Sequence, residues 1–313
     1  MTKKIKKISN ATIAIVLFWL LIGSAFGLTA AFLWAVSTNI YKTQSEKATP
    51  LSIASLKMWM SFAVMAVLVW LPFRTTPFFV PFDTIIYLAA SVTAGFVIGD
   101  VAYLTSQKRI GVSYAFPLAA TAPILTYIIA IFVVDEVILL SRMSGIILAV
   151  IGVILISSGQ ASTSNDEENT NNLDKVGVFL ALFTALCWAV ESIFLQIGVA
   201  DMDPIDANFM RMLFGAGIMA PLFLGSVRQG MPKPSRRAAK IILVGAFIGM
   251  TWASLLFTYA VKLVGASVTT VLGSTSPLFA LPIAIIFLKE KFTTKSILGV
   301  LLTVVGIILV VLI

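Results

Sequence analysis

The sequence predicts an all-α polytopic membrane protein of ten transmembrane helices, built as two inverted five-helix repeats. Three observations predict it. Of 313 residues, 59% are hydrophobic and only 12% charged, whereas a soluble domain carries about 25% charged residues to solvate its surface. The charges cluster between apolar runs that reach the roughly 20 residues a helix needs to span a bilayer. Finally, a shift of 154 positions lays one half of the chain over the other without a gap. A soluble enzyme and a disordered chain are excluded.

Taken in order, a basic tail occupies residues 1–9, the first repeat 10–159, a linker 160–176 and the second repeat 177–313. The apolar segments fall near 15–41, 50–72, 84–107, 112–134 and 141–159, then near 177–198, 205–225, 238–261, 266–288 and 294–313. Ten-residue alternating strands are absent, so helices are the spanning element. The first segment follows MTKKIKKISN and so imitates a secretory leader. It runs on to Tyr41, which reads as one long helix, with cleavage near Ala25 as the alternative. The linker, GQASTSNDEENTNNLDK, has the composition of a solvated connector.

The repeat rests on landmarks that apolar bias does not produce. Trp34-Ala35-Val36 falls on Trp188-Ala189-Val190, Pro50 on Pro204, Lys57 on Arg211 and Lys108 on Lys262. Gly95, Gly111, Ser113, Thr121, Pro123, Glu136, Gly145 and Gly152 fall on Gly249, Gly265, Ser267, Thr275, Pro277, Glu290, Gly299 and Gly306. Five helices are an odd number, so the second copy enters the membrane from the opposite side. Secondary transporters are built this way, with the substrate site near the midplane between the copies.

Orientation stays open. Counting loops, seven cations share the side of the amino terminus and thirteen lie on the other. That places the thirteen in the cytoplasm, while the basic tail of Lys3, Lys4, Lys6 and Lys7 argues the opposite. The net charge of +8 is accounted for by such loops rather than by nucleic acid. The chain has no histidine and a single cysteine, Cys187. Zinc chemistry and Ser-His-Asp or Cys-His catalysis are therefore out. No cofactor and no metal is expected. The expected partners are a small-molecule substrate, membrane lipid, protons as a candidate coupling ion, and a second copy of the chain in a homodimer.

The chain resembles the drug/metabolite transporter superfamily, specifically its EamA-type ten-helix members. The resemblance covers nearly all of Gly23 to Ile313 except the linker. It is carried by AAFLWAV at 30–36 and TALCWAV at 184–190, and by a proline ahead of the helix bearing Lys57 or Arg211. KRIGVSYAFPLAATAPI at 108–124, KLVGASVTTVLGSTSPL at 262–278, and the acids Glu136 and Glu290 complete it. It implies efflux or uptake of small metabolites, often amino acids, with proton coupling or exchange, in a multi-pass cell-membrane protein. It also implies termini in the cytoplasm, against the loop tally. Lys57 in place of arginine, and the long first apolar run, depart from the pattern.

Ionisable groups inside helices are costly and by default functional. Asp100 lies inside the third helix with Tyr103 on the same face. It is expected to bind a proton or a substrate ammonium, or else to pair with Lys57 or Arg211. Glu191 lies one turn after Trp188 where the first half has Ser37, and the small multidrug relatives use an acid in the equivalent helix. Proton or cation handling is expected of it, with a polar cap near the linker as the alternative. Lys57 and Arg211 either snorkel to the interface, pair with those acids, or hold a substrate carboxylate. Glu136 and Glu290 read as helix-preceding loop acids.

Pro123 and Pro277, with Pro117 and the run Gly273-Ser274-Thr275-Ser276, interrupt the fourth and ninth helices. Broken helices in matched positions point to a transporter site. Trp34, Trp188 and Trp252 either wall that cavity, where a cation would lie over their rings, or pack at the interface belt. The reading is a secondary active transporter, with export expected, of small polar metabolites such as amino acids, working by alternating access. Multidrug efflux of lipophilic cations is the second transport reading. A lipid-modifying membrane enzyme and a non-transporting scaffold lack residues to recommend them.

Overall fold

The computed structural model describes residues 10–71, 76–161, 174–279 and 294–312, and every regular element among them is a helix. The first repeat comprises α1 (Asn10–Lys42), α2 (Pro50–Val69), α3 (Thr84–Ile110), α4 (Val112–Ala119 resumed at Ala122–Val133) and α5 (Leu140–Ala161). The second comprises α6 (Lys175–Val199), α7 (Pro204–Arg228), α8 (236–264), α9 (from 266 to the last described residue, 279) and α10 (Thr294–Leu312). Nine stretches of the described residues are long and apolar enough to cross a bilayer. One of them, Arg236–Ser274, changes direction at Gly265, and counting it on either side of that bend gives the ten predicted helices. Helices α5 and α6 reach Ala161 and Lys175, so they enter the predicted linker from both ends.

The helix ends follow from local chemistry. Thr49 and Asp203 occupy matched N-caps, each side chain accepting a backbone N–H of the first turn, and Pro50 and Pro204 follow at the first helical position. Asp174 caps α6 in the same way. Gly111 (φ 76°) and Gly265 (φ 80°) form the matched bends from α3 to α4 and from α8 to α9, a left-handed backbone that favours glycine. Both repeats also carry a seven-residue π-helical turn at the same place, Thr93–Gly99 in α3 and Phe247–Ala253 in α8.

Packing obeys the internal symmetry. Helices α3 and α4 pack on α6 as α8 and α9 pack on α1; α2 meets its mate α7 and α5 its mate α10. Lipid tails are as apolar as the helices, so close packing must supply the association. The α5–α10 seam shows how: a Cβ on Gly152 would lie 2.6 Å from the Gly299 carbonyl oxygen, and one on Gly299 would lie 2.6 Å from that of Gly152. Gly145 and Gly306 face each other likewise. The α2/α3/α7/α8 core holds buried Met58, Met65, Met212 and Met219, two repeat-related pairs whose flexible thioethers fit irregular gaps. Gly23 and Gly27 of α1 lie against Val264 and Leu272, so this part of the first helix belongs to the packed bundle.

Candidate functional site

A cavity of about 150 Å³ lies between the repeats, lined by α1, α2, α3, α4, α6, α8 and α9. Single waters need only roughly 10–15 Å³ on that measure, so the space admits a small solute. Its lining comes from the late turns of α1 (Trp34 to Tyr41), the second half of α3 (Phe96 to Gln107) and the start of α4 (Phe116 to Pro123). The cavity is therefore displaced toward the face bearing the α1–α2 and α3–α4 connections, the α1–α2 face. Toward the opposite α2–α3 face the repeats are closed by a cluster that includes Leu88, Leu195, Val199, Phe257 and Val261.

Polar ties reinforce that closure around the Gly265 bend. Glu136 accepts from Arg142 Nη1 (2.6 Å) through one oxygen and from Ser267 Oγ through the other. Gln196 Oε1 accepts from the Ala266 N–H (2.6 Å), and Lys262 Nζ donates to the Met202 carbonyl (2.6 Å). Glu136 thus joins the α4–α5 connection of one repeat to α9 of the other, more than the helix-preceding acid its sequence suggests. Glu290 lies outside the described residues.

The walls are aromatic in matched pairs. Trp34 lies against Phe257 with ring centroids 5.2 Å apart, and Trp188 against Tyr103 at 5.1 Å. These pairs are repeat mates, each joining the first helix of one half to the third helix of the other. Two ion pairs break the apolar lining. Lys57 Nζ donates to Asp100 Oδ2, both side chains 12% exposed, with the ammonium 5.1 Å from the Tyr41 ring centroid. Arg211 Nη2 donates to Glu191 Oε1; this guanidinium is fully buried, 4.8 Å from the Phe96 ring centroid, and Nη1 donates to Thr258 Oγ1 (3.4 Å). Neither cation snorkels to the interface. Each pairs with the acid of its own repeat, although the acids stand at non-equivalent positions.

Glycines within the π-helical turns leave room for two side chains of the lining. Gly95, in the first, faces the Glu191 carboxylate so closely that a Cβ there would overlap it; Gly249, in the second, faces Ser37 in the same way. Asp100 follows the first turn directly, as Ser254 follows the second. Added residues at such turns re-aim the side chains beyond them, and π-turns concentrate at functional sites.

Of the residues singled out in the sequence, Trp34, Lys57, Asp100, Tyr103, Pro123, Trp188, Glu191, Ser274 and Ser276 line the cavity. Arg211 stands behind Glu191. Thr275 and Pro277 are buried beside the lining, the Thr275 hydroxyl donating to the Leu272 carbonyl (2.6 Å). Trp252 is 36% exposed and packs edge-on against Phe247, outside the cavity, because the π-turn rotates it outward. The helix breaks fall at Ala120–Thr121 and at Thr275, with each proline in the restarting turn, where its missing N–H costs no hydrogen bond. Sequence reasoning passed over Tyr41, Phe96, Gln107, Phe116, Met250 and Phe257. Tyr41 was within reach, two turns beyond Trp34, and Phe257 as the repeat mate of Tyr103.

The pattern of the EamA-like transporter family matches the chain twice, over residues 21–158 and 175–312. An uncharacterized transporter of Archaeoglobus fulgidus is 25% identical over 287 residues, 90% of this chain and 95% of that protein. The uncharacterized inner membrane transporter YhbE of Escherichia coli is 28% identical over 43% of this chain and 42% of its own length. Human solute carrier family 35 member G1 is 29% identical over 44% of this chain and 36% of its own. A solved crystal structure shares the fold with a TM-score of 0.72 at 15% identity, covering 93% of this chain and 97% of that one. With both repeats matched and a cavity between them, the chain is a multi-pass membrane transporter and belongs to the EamA-like transporter family.

Proposed function

We propose that the chain is a secondary active transporter of small polar metabolites, amino acids above all, driven by protons or by exchange. The observation that carries this reading is the presence of both signs of charge in one small aromatic-walled cavity: Lys57 with Asp100, and Glu191 across from them. A zwitterion suits such a site. Its carboxylate takes the place of Asp100 on Lys57, and its ammonium meets Asp100, Glu191 and the faces of Trp34 and Trp188. Asp100 or Glu191, released from its cation when solute binds or leaves, would carry the proton. Lipid supplies the surroundings, and a second copy of the chain remains a proposed partner.

The test is transport in proteoliposomes loaded or bathed with radiolabelled L-amino acids. The expected result is accumulation that responds to a pH gradient, or counterflow against unlabelled amino acid, and loss of that response in Asp100→Asn or Glu191→Gln. Equal movement with and without a gradient, with no counterflow, rejects coupled transport. Vesicles of defined orientation read the direction, for which export is the proposal. Efflux of lipophilic cations has to seat a positive solute beside Lys57; competition by tetraphenylphosphonium, stronger than by any amino acid, would favour it.

A further inference from the structure

Behind the cavity, between α7 and α8, lies a polar seam that the cavity does not reach. Asn208 and Arg211 occupy one face of α7 and meet Ser254 and Thr258 of α8, and all four are fully buried. Ser254 Oγ donates to Asn208 Oδ1 (3.0 Å), Thr258 Oγ1 donates to the Ser254 carbonyl (2.9 Å) and accepts from Arg211 Nη1 (3.4 Å), and Arg211 continues to Glu191. Two donors in this seam find no acceptor: Asn208 Nδ2 and Arg211 Nε. Burying an unanswered donor costs free energy, and two within one turn of the same helix suit an oxygen acceptor, of which a carboxylate offers two.

The internal repeat says where this seam belongs in the transport cycle. Arg211, Ser254 and Thr258 are the mates of Lys57, Asp100 and Leu104, which line the cavity displaced toward the α1–α2 face. Leu195 and Val261, in the cluster that seals the α2–α3 face, are likewise the mates of Tyr41 and Gln107, which line the α1–α2 end of the cavity. An inverted-repeat transporter changes access by rocking one repeat against the other around the site, which exchanges the open and closed faces. That exchange uncovers Arg211 and its neighbours toward the α2–α3 face and buries Lys57.

We propose that Arg211 and Asn208, backed by Ser254 and Thr258, form a second, presently sealed subsite that binds the carboxylate of the solute when the cavity opens to the α2–α3 face. This rests on the proposed amino-acid class for its ligand, but not for its opening. Lys57 and Arg211 then serve in alternation, one for each face.

Two measurements separate the parts. In a Cys187→Ala background, Thr258→Cys and Ser254→Cys are exposed to a membrane-impermeant methanethiosulfonate from either side of oriented vesicles, with Leu104→Cys as the open-face reporter. Labelling of the two α8 positions from the α2–α3 face alone, and of Leu104→Cys from the α1–α2 face, is expected. If Leu104→Cys reacts and neither α8 position does, the subsite does not open and the proposal fails, whatever is transported. For the ligand, half-saturation by labelled L-amino acid is measured from each face. Asn208→Ala, which keeps the Arg211–Glu191 pair, should raise it about tenfold from the α2–α3 face only, as loss of one charge-assisted hydrogen bond does, and Arg211→Lys should act in the same direction. Equal effects from both faces, or none, overturn the carboxylate assignment. Labelling as expected without any amino-acid transport would instead retain the opening and reject both the carboxylate ligand and the proposed solute class.

Discussion

The Glu191 carboxylate occupies the space that a Cβ on residue 95 would fill. Gly95 is therefore the floor on which the acid stands, at the π-helical turn of α3, and Ser37 stands on Gly249 in the same manner. The two sites have one geometry and two chemistries, since the second carries a hydroxyl where the first carries a charge.

Gly95→Ala should push Glu191 off its seat and loosen its contact with Arg211. Overpacking of this kind costs typically about 1–3 kcal/mol, and here it falls on a group facing the cavity. The expected outcome is a folded protein with a lowered melting temperature and a coupled-transport rate reduced more than its expression. Gly249→Ala, against the smaller Ser37, should be milder on transport. Equal effects of the two on coupling would remove Glu191's special place.

Much of this architecture was legible in the sequence because repeat landmarks are spaced residue by residue. A shift of 154 positions matched the prolines Pro50 and Pro204 that follow the caps, the glycines Gly111 and Gly265 that prove to be the bends, and Trp34 with Trp188. Pairing was not legible, because Lys57 and Arg211 are long enough to reach an interface or either acid. Which acid each takes depends on helix rotation at the π-turns, and those add a hydrogen-bond slip with no residue signature. The same rotation turns Trp252 outward while its repeat mate, Ile98, is also exposed. The donors of Asn208 and Arg211 were invisible for a related reason: an unanswered hydrogen bond is a property of three-dimensional surroundings.

The two ion pairs should respond differently to substitution. Breaking a buried pair by deleting one partner costs about 3–5 kcal/mol, because the survivor is left charged without compensation, whereas removing both is often neutral. Arg211 is fully buried, so Arg211→Met should unfold much of the protein in detergent, and Glu191→Gln should lower the melting temperature less, since an amide still accepts from the guanidinium. Arg211→Met with Glu191→Leu should recover stability but not coupled transport. Lys57→Met, at a side chain 12% exposed, should cost less than Arg211→Met. Thermal unfolding of the four variants checks the order.

At the linker end of α6, Asp174 accepts from Arg109 Nη1 (2.7 Å) and from the Val176 N–H (3.0 Å). The Arg109 hydrogen bond, then that of the Val176 backbone, hold its carboxyl below the ordinary range. A depressed carboxylate contributes stability that is present above its unfolded value and is lost as pH falls through its folded one. Asn keeps the cap but not the charge. The melting difference between wild type and Asp174→Asn should therefore be small and constant at neutral and mildly alkaline pH, shrink on acidification, and weaken in high salt because both side chains face solvent. A difference that grew on acidification would contradict the pairing.

The α5–α10 seam provides a test of assembly that leaves the cavity untouched. Gly152 and Gly299 meet backbone to backbone, so a methyl on either must part the helices. Gly299→Ala should cost on the order of 1–3 kcal/mol, and Gly299→Leu should prevent stable insertion of the pair. Gly217 and Gly225, on the outward course of α7, have open space where a Cβ would be. Gly217→Ala should gain up to about 1 kcal/mol from helix propensity. Melting temperatures of Gly299→Ala and Gly217→Ala, measured in one detergent, should therefore move in opposite directions. A Gly299→Ala melting temperature at or above that of wild type would mean that α5 and α10 do not associate through their glycines, whereas a lowered Gly217→Ala value would mean that this face of α7 is covered.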